Sequence, residues 1–119
     1  MQVQINTDHN VEGHEALAAH VSGVIKSALD SVSDHITRVE VHLTDESSHK
    51  SGQNDKRCVM EARLQGRQPI AVTHHAATVH QAVDGAADKL TRLVEGTIER
   101  LRDQRNRTTV PSEPQTPEE

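Results

Sequence analysis

Residues 70–101, IAVTHHAATVHQAVDGAADKLTRLVEGTIERL, change hydrophobic period midway, and the fold turns on that change. Ile70, Val72 and His74 alternate with Ala71, Thr73 and His75, the period of two expected of a half-buried strand. Pro69 suits the strand's first residue, where no ladder donor is needed. From Thr78 the pattern becomes helical. Thr78 and Gln81 have the spacing of a capping box, in which each side chain satisfies an orphan backbone N–H. Val79, Val83, Ala86, Leu90, Leu93, Val94, Ile98 and Leu101 then recur at helical spacing. Gly85 and Gly96 weaken this helix by about 1 kcal/mol each relative to alanine.

Working outward, Val3, Ile5 and Thr7 alternate with Gln2, Gln4 and Asn6, a second half-buried strand. Asp8 to Gly13 reads as a turn. From Glu15 a helical stripe follows, with Leu17, Val21, Val24, Ala28 and Val32 widened by Ile25 and Leu29. Period two returns over Ile36 to Glu46, where Val39, Val41 and Leu43 oppose Arg38, Glu40 and His42. Polar residues 46–55 predict a mobile connection. Arg57 to Leu64 alternates again, with Cys58, Met60, Ala62 and Leu64 inward. The order is β-α-β-β-β-α, an α+β fold in which a four-stranded sheet carries two helices packed on one face and leaves the other wet. Residues 1–107 make one domain, and 108–119, with Pro111, Pro114 and Pro117 among acidic and polar residues, read as a disordered tail.

Composition narrows the function. In 119 residues there is no Phe, Tyr or Trp, and Leu, Ile and Val number 25, so the core is small and aliphatic and stability modest. Mechanisms that stack nucleobases on rings are excluded. No apolar run is long enough for a membrane helix, no signal segment opens the chain, and a lone Cys58 forms no internal disulfide or CxxC site. The plain expectation is a soluble cytoplasmic protein. Net charge is −5, divided as −6 over residues 1–49, +4 over 50–107 and −3 over 108–119. A chain so polarised can dock its basic half on a polyanion.

No catalytic arrangement emerges. Cys58 sits inward beside Met60, Asp45 and Glu46 have nothing apolar to raise a pKa, and no phosphate-cradling glycine loop or GxSxG elbow occurs. The expectation is a protein that is not an enzyme and needs no cofactor. Nine histidines raise a metal hypothesis, with His80 near His74 or His75, but none matches a known zinc spacing. Structural or surface roles explain them better. The basic residues of the second helix say more. Lys89, Arg92 and Arg100, at spacings of three and eight, fall along one side, and Arg102, Arg105 and Arg107 extend the charge past the helix end. Asp88 and Arg92 are spaced for an i,i+4 ion pair on a solvated face.

Three segments carry a resemblance. Val11-Glu12-Gly13-His14-Glu15-Ala16-Leu17, Ile36-Thr37-Arg38-Val39-Glu40-Val41-His42-Leu43, and Ala82-Val83-Asp84 followed by Asp88-Lys89-Leu90 and Arg92 resemble the ribosome hibernation-promoting factors, also called protein Y or ribosome-associated inhibitors. The likeness spans about residues 1–105. It implies a bacterial, cytoplasmic, non-catalytic protein that binds rRNA of the small ribosomal subunit. Such a protein occupies the tRNA and mRNA channel under stress or in stationary phase. It is a monomer off the ribosome, with neither membrane nor DNA as partner. The resemblance further implies that Lys89, Arg92, Arg100 and Arg102 grip rRNA, assisted by Arg38, Arg57 and Arg63 on the open sheet face. Gly96 and Ile98 stand where relatives often carry lysine, and the C-terminal domain through which long members pair ribosomes has no counterpart. With the −5 charge, these departures motivate the alternative, a diverged member serving as a protein-interaction module without ribosome binding.

Overall fold

The computed structural model describes residues 1–8, 14–45 and 55–109. Of the expected turn only Asp8 and of the polar connection only Asp55 fall within them, and the tail beyond Thr109 lies outside. Strand β1 (Gln2–Thr7) leads to helix α1 (His14–Ala28) and a 3-10 segment (Asp30–His35). Strands β2 (Ile36–Asp45), β3 (Lys56–Leu64) and β4 (Ile70–Ala76) follow, and α2 (Val79–Thr109) closes the fold. The sheet order is β1-β2-β3-β4. β1 runs parallel to β2, which the helical crossover through α1 permits, while β2–β3 and β3–β4 are antiparallel.

Alternation places Val39, Val41 and Leu43 of β2 beside Cys58, Met60 and Ala62 of β3 and Val72 of β4, all buried on one face. α1 covers that face with Leu17, Val21 and Ile25, and α2 with Val83, Leu90, Val94 and Ile98. α2 lies against β3 and β4, and α1 against β1 and α2. Among the described residues no polar or charged residue is buried. Each fully buried aliphatic side chain contributes about 1.5–3 kcal/mol of transfer free energy, which is how a core without rings holds.

The first helix is shorter than its stripe predicts. α1 ends at Ala28, and Val32 reaches the core from the 3-10 segment, its N–H donating to the Leu29 carbonyl at 3.0 Å. Ser31, Ser33 and Asp34 favour such local turns over continued α-helix, and the tighter i+3 repeat still points Val32 inward. A bulge between Ile36 and Arg38 shifts the register so that Ile36 faces the same core as Val39. There Thr37 Oγ1 donates to the Arg63 carbonyl at 3.0 Å.

Helix α2 departs from expectation at three places. Its backbone continues to Thr109, so Arg102, Arg105 and Arg107 belong to the helix rather than following it. Leu93 is 49% exposed: it lies one turn beyond Lys89, which reaches edge strand β4, and the sheet ends there. Gly85 is a close-approach point, because a methyl group added there would overlap the His74 ring. The Gln81 N–H donates to Thr78 Oγ1 at 3.1 Å, the expected cap.

Candidate nucleic-acid interface

At about 100° per residue, Lys89, Arg92 and Arg100 lie within about 80° of one another on the α2 surface. All three are exposed. Lys89 Nζ donates to the Thr73 carbonyl at 3.0 Å, so its charge sits where α2 meets the β4 edge. Arg92 meets Asp88 at 3.0 Å, with side chains 79% and 61% exposed. Such an i,i+4 pair is worth only about 0.3–0.5 kcal/mol and yields readily to a stronger anion. Arg100 Nη2 donates to Thr97 Oγ1 at 3.2 Å and passes over Gly96, whose missing side chain leaves the guanidinium against the helix.

Arg102 does not join this row. It lies about 140° round the helix from Lys89, beside Ser31 and Val32 of the 3-10 segment and Glu95 and Glu99 of α2.

The sheet arginines occupy the open face as expected, in a setting the sequence did not disclose. Register places Arg38 opposite Arg63, and Glu40 opposite Glu61. Glu40 accepts from Arg38 at 2.6 Å, lies 3.7 Å from Arg63 Nε and 3.8 Å from His42, while Glu61 lies 3.5 Å from Arg63. These two guanidinium charges are matched by two carboxylates, one of them, Glu40, only 19% exposed. Arg57, half-buried, stands in register between Thr44 and His75. The seven predicted contacts therefore fall on three surfaces: the β4-side flank of α2, its opposite flank at Arg102, and the open sheet.

The α1-facing flank of α2 was missed. Asp84, Asp88, Glu95 and Glu99, at spacings of four, seven and four, share a helix side. Spacing alone carried that signal. α2 thus carries Lys89 and Arg100 on its β4 side and the carboxylates on its α1 side, with Arg92 paired to Asp88 between them and Arg102 among the carboxylates.

His80 does not meet His74 or His75. Its ring packs edge-on against His20 of α1 with centroids 4.3 Å apart. Among the described residues no three His, Cys, Asp or Glu side chains converge to hold a metal ion. Cys58 is fully buried, and desolvation pushes its thiol up to about 12, so it stays protonated and unreactive at neutral pH. Lys56 is raised above its ordinary value, first by its hydrogen bond to Asp55 at 2.9 Å and then by Asp45 at 3.4 Å, despite some opposing desolvation. It ties down the open end of the β2–β3 pair. Among the described residues no helix is long and apolar enough to cross a membrane.

Comparison with known proteins covers this whole arrangement. Residues 3–102 match the family described as sigma 54 modulation protein / S30EA ribosomal protein. A ribosomal subunit interface protein from Coxiella burnetii is similar in structure, with a TM-score of 0.70 at 15% identity over 83% of this chain and 99% of that one. The protein Y N-terminal domain of Thermus thermophilus gives a TM-score of 0.65 at 23% identity over 82% of this chain and 99% of its own. At these identities the two structures speak for the fold alone. No curated protein sequence gives a significant match.

Proposed function

The chain belongs to the sigma 54 modulation protein / S30EA ribosomal protein family, and from that premise we propose that it is a hibernation factor of the cytoplasm. It binds the small ribosomal subunit and idles translation by filling the channel in which tRNA and mRNA sit. The observation that carries this reading is the family match over residues 3–102, which takes in all four strands and the cationic flank of α2. Inhibition is by occlusion, so no reacting group is needed.

The chemistry suits folded RNA. A rod held on the sheet by Leu90, Val94 and Ile98 presents Lys89, Arg92 and Arg100 in fixed relation. Phosphates and 2′-hydroxyls are contacted in preference to bases, since there is no Phe, Tyr or Trp on which bases could stack. Arg102 supplies a further contact only if the RNA wraps the far flank. Arg57, in register with His75, is the sheet arginine beside β4, and Arg38 and Arg63 are engaged by Glu40 and Glu61. Three or four phosphate contacts give a shallow salt slope, roughly −2 to −4 in log–log terms.

The test is co-sedimentation with purified small subunits at two salt concentrations. The expected result is wild-type protein in the ribosomal pellet at low salt, partial release at higher salt, and loss of pelleting in Lys89→Glu/Arg92→Glu with an unchanged circular dichroism spectrum. If the wild type stays in the supernatant even at low salt, the proposal fails. If the double variant pellets normally, α2 is not the gripping surface.

A further inference from the structure

The flank of α2 that faces away from Lys89 and Arg100 borders an open groove between α1 and α2 with a volume of about 780 Å³. Ala19, Gly23 and Ala28 of α1 and Ala87 of α2 line it, so two backbones lie close to its surface. A Cβ built on Gly23 meets nothing within 4 Å. Across the groove His20 faces Asp84 at 3.6 Å. Asp84 and Asp88 form the α2 rim, 60% and 61% exposed, and Glu95 and Glu99 continue the same side of the helix. The single lysine of α1, Lys26, lies roughly 60° or more round the helix from Gly23 and Ser27, outside the groove lining. An apolar floor of small residues beneath a rim of carboxylates repels a phosphate backbone. It fits an apolar stripe flanked by cations.

We propose that this groove docks a lysine- and arginine-rich amphipathic segment of a partner protein. The partner's small apolar residues pack on Ala19, Gly23 and Ala87, and its cations meet Asp84 and Asp88. Lys89 and Arg100 lie off this surface, while Arg92, paired with Asp88 at 3.0 Å, stands between the two, so a partner's cations compete with Arg92 for Asp88. The inference does not depend on ribosome binding.

The probe is a short fluorescein-labelled helical peptide with alanine and leucine on one face and lysine and arginine on the other, titrated with full-length protein by anisotropy. A control peptide carries glutamate in place of every cation. The wild type is expected to bind the basic peptide and not the acidic one. Gly23→Leu, which fills the groove from an exposed helical position with a better helix former, weakens binding by more than about tenfold, or 1.4 kcal/mol. Asp84→Asn/Asp88→Asn weakens it and flattens its salt dependence. Lys89→Ala/Arg100→Ala leaves it unchanged. The proposal is overturned if the basic peptide fails to bind at low salt, if Gly23→Leu binds it as well as wild type, or if the acidic peptide binds equally. It is also overturned if Gly23→Leu impairs binding of an RNA duplex while sparing the peptide.

Discussion

Along the row Thr7, Leu43, Cys58 and His74 the sheet turns its side chains to the helices. One residue earlier on β1, the row Asn6, His42, Val59 and Thr73 turns to water. The covered face is aliphatic and tolerates a polar ring only at its margin, where Gly85 opens α2 to admit His74. The open face is a lattice of ion pairs in which Arg38, Glu40, Glu61 and Arg63 largely cancel one another. Arg38 and Arg63 on the sheet are therefore engaged by the protein's own carboxylates, whereas Lys89, Arg92 and Arg100 of α2 each make one weak, exposed contact. Position on an element decides how firmly a cation is held.

The margin of the covered face gives the largest effect. Gly85→Ala gains about 1 kcal/mol of helix propensity but must displace the His74 ring, an overpacking cost of about 1–3 kcal/mol. Net destabilisation in urea unfolding is expected. In a His74→Ala background the sign reverses and the same change stabilises; stabilisation in both backgrounds would show that the contact is not tight.

Alkaline titration gives an effect that is absent at neutral pH and appears only above pH 9. Burial raises the Cys58 thiol to about 12, so the folded state holds a proton that the unfolded chain releases near 9. Its contribution is complete below pH 9 and is lost as pH rises from there towards 12. Cys58→Ser, measured against wild type by urea unfolding over that range, should show a flatter decline. Parallel curves would place the thiol in contact with water.

The smallest effect probes the open face. Glu40→Gln leaves Arg38 and Arg63 facing each other, and should cost about 1 kcal/mol or less, shrinking as salt screens the repulsion. It should also release the Arg38 guanidinium, leave Arg63 with Glu61 alone, and raise small-subunit affinity at low salt. No gain in affinity would mean that the sheet face stays clear of RNA even when uncompensated.

Much of the fold was legible because period alone encodes it. The alternation through Val39, Val41 and Leu43 and the stripe through Leu90, Val94 and Ile98 each describe one buried face, and burial on a face is a local property of sequence. What stayed hidden depends on register or on neighbours distant in the chain. The bulge after Ile36 shifts parity by one residue, the parallel pairing of β1 leaves no local mark, and Leu93 is exposed only because the sheet stops at β4. At the candidate interface, the row Lys89, Arg92 and Arg100 follows from helical spacing. The quenching of Arg38 and Arg63 needs the pairing of Glu40 with Glu61 across strands. Arg102, which the helix carries on past Leu101, stands on another side of α2, a placement that needs the true helix end at Thr109.

A chain without Phe, Tyr or Trp, its core built from aliphatic side chains, cysteine and methionine, is optically blank in the near ultraviolet, with no intrinsic emission. A tryptophan substituted for Leu93, already at the surface between Lys89 and Arg100, would therefore be the sole emitter. Its colour would report, without background, when that flank leaves water.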